Sequence, residues 1–351
     1  MKRIYFNILS AFLVLLSGSG ALFAGNPDRQ GEAGAYELLM IPYARMAGLH
    51  AMNTSMTSGA EAMRLNIAGL ARINKTEIVL GNAIYLQGTG IKMNALGLSQ
   101  RVGKSGAFGL SLMALDFGDI RVTTTEQPEG TGVTFSPNFF NLGLGYSHVF
   151  ENKISVGVLF RLVSESISDV SATGFAIDAG VQYVAGEKEN FKFGISLRNI
   201  GSRMTFGGEG LSIFTQGTGD TDYDLTFSQR SAGFELPSVL NIGLSYDFYA
   251  TENHRITVLG NFTANSFSQD QLGAGLEYSM KDLFMLRGGY KYEFGSEDEI
   301  TAPIYTGLAA GATIQVPLSK ENKNVKFGID YAYRQTRLWN GTHNIGVRIN
   351  I

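Results

Sequence analysis

The side chains that usually do chemistry are sparse in this chain. There is no cysteine, so thiolate nucleophiles, thiolate metal sites and disulfides have no residue to build on. The four histidines, His50, His148, His254 and His343, lie far apart, and no two have the spacing of metal ligands. No nucleophile-elbow motif or phosphate-cradling glycine loop stands in a suitable context. One enzymatic arrangement stays open, a serine–histidine site assembled from distant strands with His148 or His343 as the base. The expectation is a protein that is not an enzyme and needs no cofactor or metal.

Two other groups of residues stand out. The first is charge of both signs set at alternate positions within apolar runs: Arg161, Arg198, Arg255, Glu277, Arg287, Asp330 and Arg348, with Asp178, Lys192, Asp247, Lys291, Glu293, Lys326 and Arg334 in the same phase. A ring of one sign would point to ion selectivity. Interleaved signs point to a self-neutralising charge network that braces the inside of a wall. The second group is apolar and aromatic: Leu211, Ile213, Phe214, Tyr223, Phe227 and Phe234, within a connection over 201–235 that is too long for an ordinary loop. Such a segment offers a surface for cargo or for a hydrophobic ligand. The net charge of −3 gives no sign of nucleic-acid binding.

The elements that carry these residues are strands. From Glu77 onward, runs of period-2 alternation recur, each followed by a turn. Ile154, Val156, Val158, Phe160 and Leu162 form one face and Ser155, Gly157 and Arg161 the other. Such a period sends alternate residues to opposite faces of a sheet. The pattern places strands at 77–87, 90–102, 105–117, 138–150, 153–164, 173–185, 190–200, 236–250, 253–265, 270–281, 284–294, 303–317, 324–335 and 342–351, about 14 in all. Alternation is weakest in the second and third. Connections alternate short and long: the turns near Gly103, Glu151, Gly186, Thr251, Asp282 and 319–323 are short, while 118–137, 165–172, 201–235, 295–302 and 336–341 are longer, and of that second set only the first, near Gln87-Gly88-Thr89, is short.

This is the pattern of an all-β, antiparallel, up-and-down transmembrane β-barrel, with short periplasmic turns and long extracellular loops. Composition agrees. Charged residues are 17%, below the ~25% of soluble domains, and glycine is 44 of 351 residues, well above the usual ~7%. Tyr146, Tyr183, Tyr246, Phe248 and Tyr278 would form one aromatic girdle, and Tyr290, Tyr292, Phe294, Tyr331 and Tyr333 the other. The alternation runs to the last residue, Ile351, as expected if the last strand pairs with the first to close a cylinder in lipid.

The remaining segments divide simply. Residues 1–24 read as a signal peptide, with Lys2 and Arg3 ahead of an apolar stretch and a small residue, Ala24, before Gly25. Residues 25–76 precede the barrel of 77–351. Gly143, Gly145, Gly157, Gly180, Gly194, Gly243, Gly275, Gly289, Gly311, Gly328 and Gly346 all fall on inward positions and leave volume to be filled. Residues 25–76, with helix-compatible pieces at Tyr36–Met46 and Ala60–Arg72, are expected to fold into or beneath the lumen from the periplasmic side as a short, partly helical plug. The chain is thereby placed in the outer membrane of a diderm bacterium, N-terminus periplasmic, in contact with lipid.

The N-terminal segment also carries a resemblance. Residues 37–48, followed by 59–72 with Asn66, Ala68, Gly69, Leu70 and Ala71, resemble the start of the PorV/PorQ-type proteins, FadL-like outer-membrane barrels of Bacteroidetes associated with the type IX secretion system. Ile67 stands where that family usually has proline. The resemblance implies a barrel that binds and shuttles secreted cargo proteins or docks on the translocon, with secretion-system proteins or cargo as partners. The alternative is a FadL-like transporter of hydrophobic small molecules such as fatty acids, with an apolar pocket under the long loops and a lateral opening in the wall.

Overall fold

The computed structural model describes residues 25–216, 224–296, 302–318 and 325–351. The signal-peptide reading of 1–24, Tyr223 and the turn at 319–323 lie outside the described residues.

Fourteen antiparallel strands close into one barrel. They are β1 (Thr76–Ile84), β2 (Lys92–Val102), β3 (Gly106–Asp116), β4 (Asn138–Phe150), β5 (Ile154–Ile167), β6 (Val170–Ala185), β7 (Phe191–Gly201), β8 (Val239–Thr251), β9 (His254–Asn265), β10 (Gln271–Met280), β11 (Phe284–Glu293), β12 (Tyr305–Pro317), β13 (Lys326–Thr336) and β14 (Thr342–Asn350). Each strand pairs with its chain neighbours, and β1 pairs with β14 from Glu77–Asn350 to Ile84–His343. Ile351 extends this seam by exchanging two main-chain hydrogen bonds with Thr76, at 2.8 and 3.1 Å. No edge is left unpaired, as hydrocarbon surroundings require.

The outer face is apolar. On β5 the exposed side chains Ile154, Val156, Val158 and Phe160 lead to Leu162, while Ser155, Leu159, Arg161 and Val163 point inward and are buried. The run from 154 to 162 measures about 27 Å along the strand, or roughly 21 Å at a tilt of about 40°, near the ~25 Å apolar band of membrane barrels.

Beyond that band β5 and β6 continue as a polar-faced ribbon. Ser164, Ser166, Ser171 and Thr173 point outward there, and the strands meet at a two-residue turn, Ser168-Asp169. The loop expected over 165–172 is therefore a tight hairpin. Leaving the hydrocarbon removes the apolar alternation without ending the ladder.

Two further hairpins sit on the long-loop end. One pairs Ile120–Arg121 with Thr134–Phe135, and the other pairs Ser212–Gln216 with Asp224–Ser228.

Residues 25–75 run through the inside of this barrel. Their helix-compatible pieces are short turns rather than two helices: 3-10 turns at Tyr36–Leu39, Gly59–Arg64 and Ile67–Ala71, and one α-helical turn at Ala44–Ala47. Pro42, with no N–H to donate, falls between the first two.

The segment begins at the mouth carrying the long loops. There the Asn26 N–H donates to Asn265 O, and Gly34 and Glu235 lie in a short parallel bridge region, with Gly34 N–H on Glu235 O at 3.0 Å. It leaves at the opposite mouth, where Arg101 grips the carbonyls of Ala71, Ile73 and Asn74. This corrects the expectation that residues 25–76 enter from the short-turn side. Residues 25–35 and the long loops share one end of the barrel.

Candidate functional site

The wall meets the plug through glycines. A glycine on the inner face removes the side chain and lets the plug approach the strand backbone. A Cβ on Gly157 of β5 would lie 2.8 Å from the Ile67 carbonyl group, and one on Gly194 of β7 2.6 Å from Thr54 O and 2.8 Å from Ser55 Cα. The same holds around the circumference. Gly81 of β1 faces Pro42 and Tyr43, Gly97 of β2 faces Tyr43 and Ala60, and Gly109 of β3 faces Met63 and Leu70. Further round, Gly145 of β4 faces Ile67, Gly180 of β6 faces Asn66, Gly243 of β8 faces Thr54 and Ser55, Gly273 and Gly289 face Met52, and Gly311 of β12 faces Gly48. Ala60, Ala62, Met63, Leu65, Ile67, Ala68 and Leu70 are all buried in consequence. Here the lumen is filled by the protein's own chain.

Asn66 ties the plug to the wall. Its side-chain oxygen accepts the Ala68 N–H at 3.2 Å, and its amide donates to Thr54 O at 3.0 Å and to Val181 O of β6 at 3.1 Å. The motif residues Ala68, Gly69, Leu70 and Ala71 form the turn that follows, all buried. Gly69 allows that turn to close against Thr57, whose carbonyl would clash with any Cβ there. These residues thus have a local packing role.

The charged positions face inward, and most of them pair with a group of opposite sign. The Arg161 guanidinium donates to Asp178 at 2.7 Å, with both groups buried, and Asp178 also accepts the Asn199 N–H at 2.6 Å. This sits at a bulge where the β6–β7 register shifts between Ile177 and Ala179, so that Arg198 and Asn199 both turn inward. Arg198 donates to the plug carbonyl of Leu38 at 2.9 Å.

Lower in the barrel, Arg255 lies between Asp247 at 3.5 Å and Glu277 at 3.6 Å, and Arg287 pairs with Glu277 at 3.0 Å. Arg348 reaches Asp330 at 3.9 Å and donates to Gln315 at 3.2 Å. Lys192 completes the group on Asp247 at 2.7 Å. Sequence reasoning missed the plug's own share. Arg45 pairs with Glu61 at 3.0 Å, and Arg64 donates to the carbonyls of Glu37 and Met40 at 2.8 and 3.0 Å. A basic residue inside an otherwise apolar, Ala-rich piece was the available signal.

The apolar loop residues separate into two places. Phe234 packs down onto Gly34 and, with Phe206, Met204 and Leu236, joins plug residues Ala35 and Leu38 and wall residues Val163, Ala172 and Ala176 in one cluster. This cluster covers the plug at the long-loop mouth. A second cluster beside it brings Met40, Tyr85, Phe117 and Phe139 against the plug helix, with Phe117 and Phe139 edge to face at 4.9 Å. Ile213 and Phe227 are instead cross-strand partners on the outlying hairpin. They and Phe214 are exposed, and Leu211 is half-buried at its base.

Three histidines lie on the outer face beside girdle tyrosines. His148 bonds Tyr146 at 3.1 Å, His254 bonds Tyr278 at 2.7 Å and His343 bonds Tyr331 at 2.8 Å. His148 and His343, the two candidate bases, thus lie on the outer face, each bonded to a tyrosine hydroxyl, and His343 also to Gln87. His50 packs edge to face on Tyr305 within the plugged lumen.

The wall ladder is continuous through β1, β2, β3 and β4. Among the described strands, register shifts occur at the β6–β7 bulge, near Tyr249 at the β8–β9 turn and between Tyr305 and Ala309 at the top of β12.

No family model matches the chain, and no curated protein matches it in sequence. Solved structures do match in fold. The toluene transporter TodX of Pseudomonas putida superposes with a TM-score of 0.55 at 14% identity, over 88% of this chain and 97% of that one. A Pseudomonas aeruginosa FadL homologue gives 0.54 at 13% identity, over 88% and 98%. CymD, a monoaromatic hydrocarbon channel, gives 0.52 at 14% identity, over 90% and 97%. The chain has the FadL-type barrel fold. Nothing in these matches supports a type IX secretion assignment.

Proposed function

We propose that this chain is an outer-membrane channel for small hydrophobic molecules, with its N-terminal segment as a movable stopper. The observation that carries the reading is the lumen itself, a fourteen-stranded wall whose inner glycines are cut to fit residues 41–71. Glycine-lined contacts are made largely by packing, and packing against a smooth wall can be undone without breaking covalent or ladder structure.

The long-loop mouth supplies the entry. Met40, Tyr85, Phe117 and Phe139 on one side, and Phe206 and Phe234 on the other, present apolar surface where solutes would arrive. The fold shared with hydrocarbon channels supports this choice of solute over ions or sugars. The long loops then face outside the cell and the short turns face the periplasm.

The cargo-carrier reading drew on the Asn66 to Ala71 match, the mixed lumen charges and the long loops; the motif residues and most of the charges have partners within the barrel itself. The test is uptake. Proteoliposomes holding the full chain should take up a small aromatic hydrocarbon faster than empty liposomes, and should leave a sugar of similar size outside. Equal rates with and without protein would remove the proposal.

A further inference from the structure

At the short-turn mouth, where the plug leaves the barrel, there is a cavity of about 690 Å³. Six basic side chains line it: Arg45, Arg72, Arg101, Lys104, Lys326 and Arg348. Among the described residues two carboxylates do so, Glu77 and Glu189. A second cavity of about 290 Å³ adjoins it and shares Arg45, Arg72 and Glu189.

In this cavity the cations outnumber the carboxylates. Glu77 is engaged by the Ala60 N–H at 2.8 Å, and Glu189 reaches Arg72 only at 3.9 Å. Arg45 and Arg348 have carboxylates behind them in Glu61 and Asp330. Arg101 is held by main-chain carbonyls, which satisfy its N–H groups and leave its charge. Lys104 and Lys326 make no ion pair among the described residues.

The stronger observation is the buried one. Arg348 is 2% exposed, lines the cavity, and its Nε and Nη1 have no acceptor; Arg72 Nε is in the same position. Guanidinium N–H groups shut away from water without an acceptor are costly. Their planar fork matches the paired oxygens of phosphate or carboxylate.

We propose that this cavity binds a multivalent oxyanion, a molecule carrying phosphate or clustered carboxylate groups, between Arg72, Arg348 and Lys326. A free solute and a lipid head group share that chemistry. The test is calorimetric titration of the full chain in detergent, at constant ionic strength, with inorganic pyrophosphate in one arm and dihexanoyl phosphatidate in the other. Sodium chloride is the reference.

Saturable binding of pyrophosphate supports the site with a free solute as ligand. Binding of the phosphatidate alone supports it with a head group. Arg72→Met and Lys326→Met should each weaken binding roughly 10- to 100-fold, the worth of a hydrogen bond to a charged group. Arg203→Met, exposed at the other mouth, should not. Heat-modifiable migration on gels confirms that each variant has folded. No saturable binding beyond chloride, or full affinity in both variants, overturns the proposal. The titration requires no transport, so it stands or falls separately from the channel reading.

Discussion

Methyl groups added at Gly157 and Gly194 should lift the plug off the wall without opening the barrel. At Gly194 the new Cβ would sit 2.6 Å from Thr54 O and 2.8 Å from Ser55 Cα, about 0.8 Å inside ordinary contact for the nearer atom. At Gly157 it would sit 2.8 Å from both the carbon and the oxygen of the Ile67 carbonyl. All of these are backbone atoms, so no rotamer change relieves them and the plug itself must shift. Overpacking of this kind costs about 1–3 kcal/mol per site. The two sites touch different parts of the plug, and their effects should roughly add to about 2–6 kcal/mol.

The wall hydrogen bonds are untouched, so the cost falls on docking. Amides of residues 45–70 should then exchange with solvent roughly 30- to 10⁴-fold faster in G157A/G194A, since each ~1.4 kcal/mol raises the open population tenfold. Strand amides should keep their protection. Gly260→Ala is the control, because its Cβ meets nothing nearer than Gly273 O at 3.8 Å. Plug exchange in the double variant equal to that of the control would refute the cradle argument.

Other consequences can be measured in the same protein. Asp178→Ala leaves Arg161 buried without its carboxylate and should cost about 3–5 kcal/mol in denaturant unfolding, whereas exposed Asp119→Ala should be near neutral. Asn66→Ala removes one hydrogen bond from plug to wall, at Val181 O, and two within the plug; proteolysis of residues 54–72 should become detectable while the barrel still migrates as folded. Phe234→Ala removes the ring that packs on Gly34, and exchange should rise first at Ala33 to Leu38 and only later at Met63 to Leu70.

Much of the wall could be read from the chain because period-2 alternation is imposed by two different solvents, lipid outside and a polar lumen inside. β4 runs from 138 to 150, as its pattern indicates, and all fourteen strands lie within a few residues of their expected places. The reading weakened where that contrast fades. β2 and β3 face apolar plug residues, so Met93, Ala95, Met113 and Leu115 point inward while Leu96, Leu98, Leu110 and Leu112 point outward. Both faces are then apolar and the alternation disappears from the sequence.

The inward charges were legible from phase alone, but their partners were not. The Asp178 site depends on a bulge, and Arg198 on a plug carbonyl distant in sequence. The direction in which the plug threads the barrel left no local trace, because it is set by tertiary contacts at the two mouths. Within 201–235, composition marked the apolar residues without separating Phe234, which covers the plug, from Phe214, which is 77% exposed on the outlying hairpin.

The central claim, that the N-terminal segment is a stopper that must move, can be tested with one engineered cross-link. Ser55 of the plug donates a hydrogen bond to Ser245 of β8 at 3.0 Å, and the chain has no cysteine of its own. In S55C/S245C, the two thiols are close enough for a disulfide that would pin the plug to the wall. Uptake of a small aromatic hydrocarbon into proteoliposomes should stop when the pair is oxidised and return when it is reduced. Equal uptake in both states would contradict the account, because it would mean that solute passes without the plug moving.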